Sequence, residues 1–155
     1  RAARVLGSLG VNYLTLHTAG GRDMAAAGVD GLLEGARNAG FGAPIALGVT
    51  ILTSDSNSEE EIMEQRIRIA KDSGCRGLVC STHDLPIVKK HAPDLLAVVP
   101  GIRPSGVEAH DQRKIATPSE ALSSGAGVLV IGRAITQAED PIQASKNIHT
   151  ELSNL

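Results

Sequence analysis

The chain has 155 residues, 42% of them apolar and 21% charged, which suffices for a single core and gives no sign of a second domain. A formal charge of −2 leaves no basic surface for a nucleic-acid backbone, and one Tyr, one Phe and no Trp leave little for bases to stack on, so nucleic acid is not an expected partner. No apolar run approaches the roughly 20 residues that span a bilayer and no signal-peptide pattern opens the sequence, so a soluble, cytoplasmic protein without a membrane partner is expected.

Residues 1–9 read as the tail of a helix, with no strand before it. Five strand-like runs follow, at 12–17, 45–53, 77–80, 95–99 and 127–131, with helical periodicity between them. Val29, Leu32, Leu33 and Ala36 fall at i, i+3, i+4 and i+7, and Met63, Ile67 and Ala70 repeat the pattern, which makes both intervening helices amphipathic. Ser58 with Glu61 and Thr117 with Glu120 fit capping boxes, Pro118 occupies a first helical position, and Asp140-Pro141 repeats that start signal. The acidic run Glu59-Glu60-Glu61 lies in a first helical turn, where negative charge complements the macrodipole, and is read as structural. Cys75 and Cys80 match no zinc or redox spacing and are expected to be reduced, buried small hydrophobes.

Strands alternating with helices predict a parallel sheet with right-handed crossovers, whose core, with so few aromatics, is built from Leu, Ile, Val and Ala. Two closures compete. Length favours an open doubly wound sheet, because a complete eight-stranded barrel takes about 250 residues. The absence of any G-x-G-x-x-G or G-x-x-x-x-G-K-[ST] loop, and the placement of ligand-type residues at several successive strand ends, favour a barrel. The fold class expected is therefore α/β: the C-terminal part of a (β/α)8 barrel, with about five parallel strands, residues 1–155 forming one partial domain.

Two strand ends carry the chemistry. Val98-Val99-Pro100-Gly101-Ile102-Arg103-Pro104 and Val128-Leu129-Val130-Ile131-Gly132-Arg133 each run from branched residues into a glycine and an arginine. Glycine permits close backbone approach to a ligand, and a guanidinium offers a planar fork of donors that matches phosphate oxygens in pairs. Two such ends one βα unit apart predict a single phosphate site.

These segments belong to a longer series: Leu14-Thr15-Leu16-His17 with Gly20-Gly21, Val49-Thr50-Ile51-Leu52-Thr53-Ser54, Gly77-Leu78-Val79-Cys80-Ser81, Pro100-Gly101-Ile102-Arg103-Pro104, His110-Asp111-Gln112, and Ile131-Gly132-Arg133-Ala134-Ile135-Thr136 with Asp140-Pro141. In this order the series resembles the C-terminal portion of the orotidine 5′-phosphate decarboxylase family, whose members convert orotidine 5′-phosphate to uridine 5′-phosphate in pyrimidine biosynthesis. The resemblance implies that Arg103, Gln112, the Gly132 amide and Arg133 hold the 5′-phosphate, that Thr53 and Ser54 lie near the pyrimidine, and that Pro100 packs on the base. It also implies cofactor-free and metal-free chemistry and a homodimeric complete enzyme. The family's D-x-K-x-x-D array is missing: Lys71, Lys89, Lys90, Lys114 and Lys146 have no aspartates at that spacing. No catalytic residue is therefore expected in this chain, which would supply phosphate and base recognition and by itself be inactive.

Two other readings stand beside this one. A related sugar-phosphate barrel, such as a hexulose-phosphate synthase or keto-gulonate-phosphate decarboxylase, would require magnesium. A non-catalytic half-barrel would expose unpaired edges on its first and last strands. His17 ends a strand at the presumed ligand face, but with no second ligand at metal spacing it is read as structural or supporting. His83, His91 and His149 read as surface groups, and His110 as shaping the loop that carries Gln112.

Overall fold

The computed structural model describes residues 1–51, 60–104 and 116–153. Chain order runs α1 (Ala2–Ser8), β1 (Tyr13–His17), α2 (Arg22–Asn38), β2 (Ile45–Val49), α3 (Glu60–Asp72), β3 (Gly77–Val79), α4 (Leu85–His91), β4 (Leu96–Val99), α5 (Pro118–Ser123), β5 (Val128–Leu129), α6 (Arg133–Thr136) and α7 (Pro141–Ser153). Short 3-10 turns at Thr18–Gly20 and Thr82–Asp84 follow β1 and β3. All five predicted strands form. They are shorter than the apolar runs, because ladder pairing ends where the chain turns toward each helix: β2 stops at Val49 and β5 at Leu129.

The strands make one parallel sheet whose spatial order equals chain order, β1-β2-β3-β4-β5. A doubly wound sheet must reverse direction somewhere, and each reversal sends helices to the other face. Here no reversal occurs, and the consecutive order is that of a wedge of barrel wall.

Side-chain parity shows that helices cover one face of the sheet. Ala46, Leu78, Ala97 and Val99 project into a core shared with Val29, Leu32, Met63, Ile67, Leu85, Val88 and Ala121 from α2 to α5. In register, His17, Val49, Val79, Val98 and Val128 form a row across all five strands on the opposite face. That second face lacks a helical cover among the described residues: Tyr13 is 50% exposed and Val130 47%. On that face Leu47 and Val98 are nonetheless buried, whereas β1 alternates exposed and half-buried residues.

The predicted amphipathic stripes of α2 and α3 face the core, with Val29, Leu32, Ala36, Met63, Ile67 and Ala70 buried. Thr117 and Glu120 make the reciprocal capping box, with Pro118 at the first turn. Ser58, the expected cap of α3, lies outside the described residues. The α1–α2 contact is unusually close because of glycine: a Cβ on Gly35 would sit 2.0 Å from the Arg4 carbonyl oxygen, and one on Gly7 2.1 Å from that of Leu32.

Candidate functional site at the C-terminal strand ends

Parallel pairing brings every strand's C-terminus to one rim, so residues scattered from 17 to 133 become neighbours there. On β4 the exit is Pro100 followed by Gly101, whose φ of 79° lies in the left-handed region that glycine alone adopts without strain. The Arg103 amide donates to the Ala116 carbonyl at 2.9 Å and the Ala116 amide to the Gly101 carbonyl at 3.4 Å. Arg103 is held between these pairings and is 4% exposed.

Its side chain is only partly satisfied. Nη1 donates to the Ile102 carbonyl at 2.9 Å, while the buried Nε has no partner among the described residues. Among the described residues no carboxylate pairs with this guanidinium and one of its donors is unfilled, and an anion would meet both needs. On β5 the exit is matched in register. Val99 pairs with Leu129, so Arg103 and Arg133 each stand four residues past a paired position (99 to 103, 129 to 133) on adjacent strands. Gly132 is exposed, and a Cβ built on it meets nothing within 4 Å, so space lies open beside this backbone. Arg133 is half-buried and opens α6.

Of the residues expected to bind ligand, the structure therefore brings Pro100, Arg103, Gly132 and Arg133 to the same rim, on β4 and β5. Thr53, Ser54 and Gln112 lie outside the described residues, as does His110.

Sequence reasoning missed a set of rim contacts. Thr18, fully buried just past β1, donates its hydroxyl to the Val49 carbonyl at 2.7 Å. Thr50, just past β2, donates to the Val79 carbonyl at 2.9 Å. Each hydroxyl ties one strand end to the last residue of the next strand. Each threonine immediately follows the last residue of its strand, His17 of β1 and Val49 of β2. Arg66 of α3 adds a bond from Nη1 to the Thr18 carbonyl at 3.1 Å. After β3 the tie is internal: Ser81 Oγ donates to Asp84 Oδ2 at 2.6 Å, and the Ser81 amide reaches the same oxygen at 3.2 Å.

Both cysteines are buried free thiols, as expected. Burial, reinforced by the Asp84 carboxylate, pushes the Cys80 thiol up to about 12, which removes it as a nucleophile at neutral pH. His83 and His149 are exposed. His91 is not the plain surface group expected: its Nε2 lies 3.2 Å from Glu64 Oε1, and its carbonyl accepts from Lys71 Nζ at 2.8 Å, joining α3 to α4. No group of three or more His, Cys, Asp or Glu side chains among the described residues is arranged to hold a metal ion.

A sequence model of the Orotidine 5′-phosphate decarboxylase / HUMPS family matches residues 1–148. The chain belongs to this family. Orotidine 5′-phosphate decarboxylase of Lactiplantibacillus plantarum is 41% identical over 99% of the chain and 70% of its own length. That of Actinobacillus succinogenes is 41% identical over 100% of the chain and 70% of its own length. The crystal structure of orotidine 5′-phosphate decarboxylase from Lactobacillus acidophilus superimposes with a TM-score of 0.79 at 33% identity, covering 97% of this chain and 67% of that one. Family membership accounts for the consecutive strand order: the described sheet is a wedge of the family's barrel, and the chain spans about two thirds of the relatives' length.

Proposed function

We propose that this chain serves the decarboxylation of orotidine 5′-phosphate to uridine 5′-phosphate, contributing phosphate and pyrimidine recognition. The observation that carries the reading is Arg103, a buried guanidinium whose Nε has no partner among the described residues, just past the C-terminal end of β4, while Gly132 and Arg133 follow the end of the neighbouring β5. A dianionic phosphate between them supplies the missing acceptor and offsets two positive charges. Gln112 completes the phosphate shell, Pro100 packs on the base, and Thr53 and Ser54 meet its polar edge. Binding energy collected at the phosphate holds the pyrimidine where carbon dioxide is lost, so these contacts serve turnover as well as affinity.

The carboxylate–lysine array that drives loss of carbon dioxide and protonates the resulting carbanion has no counterpart here, since no lysine of the chain sits in a D-x-K-x-x-D setting. Turnover then requires a polypeptide that carries that motif, within a homodimer that operates in the cytoplasm without metal or cofactor. A chelator would leave such an enzyme unchanged, whereas a magnesium-dependent sugar-phosphate enzyme would lose activity.

Calorimetric titration of the chain with uridine 5′-phosphate, ribose 5-phosphate and uridine tests the reading. Uridine 5′-phosphate and ribose 5-phosphate bind, uridine binds at least about tenfold more weakly, and Arg133→Ala abolishes the preference for the phosphorylated ligands. Equal affinity for uridine and its phosphate, or no binding of either nucleotide component, overturns it.

A further inference from the structure

His17 is the one ionisable side chain in the row that His17, Val49, Val79, Val98 and Val128 form across the sheet at its C-terminal end. Its neighbours on β1 set its direction. Leu14 and Leu16 pack against the helical core, so by strand alternation Tyr13, Thr15 and His17 project from the opposite, uncovered face. His17 is exposed there. Its Nδ1 accepts the Ala19 amide at 3.2 Å. A ring nitrogen that accepts a backbone N–H carries no proton, so the neutral ring bears its hydrogen on Nε2. Among the described residues that N–H has no acceptor. The backbone of the Thr18–Gly20 turn thus fixes both the tautomer and the ring plane, and leaves one directed donor at the rim.

We propose that His17 is a ligand-binding residue whose Nε2–H donates to a carbonyl oxygen of the nucleotide's pyrimidine base. Position selects that part over the phosphate. Arg103 follows β4 and His17 ends β1, three inter-strand spacings away, which is roughly 14 Å along the sheet. A phosphate held at the β4 and β5 ends therefore directs the ribose and base, not its own oxygens, toward β1. The inference rests on the nucleotide reading above.

Two substitutions separate this role from a purely local one. His17→Asn places an amide oxygen near the Nδ1 position, keeping an acceptor for the Ala19 amide while removing the distal donor. His17→Gln places an amide near Nε2, restoring a donor while vacating the cap. Affinities for uridine 5′-phosphate and ribose 5-phosphate are measured by calorimetry alongside thermal stability of the free chain. The expected result is that His17→Asn keeps wild-type stability but binds uridine 5′-phosphate about tenfold more weakly, the scale of one hydrogen bond. His17→Gln recovers most of that affinity, and ribose 5-phosphate affinity stays within a factor of two of wild type in both variants. If His17→Asn binds uridine 5′-phosphate as wild type does, or if ribose 5-phosphate weakens in parallel, the proposal fails. Absence of any nucleotide binding by the wild-type chain would instead remove the functional reading on which it stands.

Discussion

Arg103→Met separates what the folded chain needs from what its ligand needs. The wild-type guanidinium is 4% exposed, with one bond from Nη1 to the Ile102 carbonyl and an unpartnered Nε. An unsatisfied buried donor costs about 1–3 kcal/mol, and losing the bond to Ile102 forfeits about 0.5–1.5 kcal/mol. Methionine has similar length and no polar atom, and replacing buried charges by packed apolar groups is often neutral or stabilising. The balance favours the variant by about 1 kcal/mol, a rise in Tm of about 2–4 °C for a chain of this size. Ligand linkage runs the other way. Uridine 5′-phosphate at 100 times its Kd stabilises wild type by about 2.7 kcal/mol, or about 5–10 °C. Losing about 2 kcal/mol of binding, the low end for truncating one side of a buried charge pair, raises Kd roughly thirtyfold. At the same ligand concentration the shift then shrinks to about 0.9 kcal/mol, or about 2–4 °C. Differential scanning fluorimetry with and without nucleotide measures both numbers. A variant that melts below wild type and retains the full nucleotide shift refutes the assignment of an unfilled anion-seeking donor at Arg103.

Three further outcomes are expected. Gly35→Ala loses about 1–3 kcal/mol in urea unfolding despite alanine's better helix propensity, because its Cβ would lie 2.0 Å from the Arg4 carbonyl oxygen; Gly31→Ala, with its nearest neighbour at 3.5 Å, gains about 0.5–1 kcal/mol, and equal effects would disprove the close α1–α2 contact. Cys80 resists iodoacetamide in the native state at pH 8 and reacts on unfolding; because its folded thiol ionises only near 12 while the unfolded one does so near 9, its contribution to stability is full below pH 9 and is lost progressively as pH rises from 9 toward 12, a decline that Cys80→Ala should reduce. The Glu120 carboxyl titrates below the usual carboxylate range in an NMR pH series, since the Thr117 amide and then its hydroxyl favour the charged form; its cap interaction is present above the unfolded pKa and disappears as pH falls through the folded one, and Thr117→Ala should return the titration toward the ordinary value.

Much of this protein is legible without coordinates because the responsible forces are local. The apolar spacing of α2 and α3 and the Thr117–Glu120 box each depend on a few adjacent residues, and each occurs in the structure where the sequence places it. The paired Gly-Arg endings at successive strand ends were legible for the same reason: side-chain chemistry does not change with the fold. Strand order was not. Periodicity is identical in a doubly wound sheet and a barrel wall; ligand-type residues at successive strand ends favoured the barrel, and the β1-to-β5 adjacency, together with helices on a single face, shows it. The burial of Arg103 was equally hidden, since it follows from pairing of Gly101 and Arg103 with Ala116, a residue distant in sequence. His17 shows the division most clearly. Its residue type marked it as a candidate, but composition and spacing pointed to a supporting role. Its tautomer comes from the Ala19 amide, and its outlook over the uncovered face comes from register with Val49. Residue identity determined which groups could act, and long-range backbone pairing decided which of them face the same space, because register and burial depend on partners that local sequence does not specify.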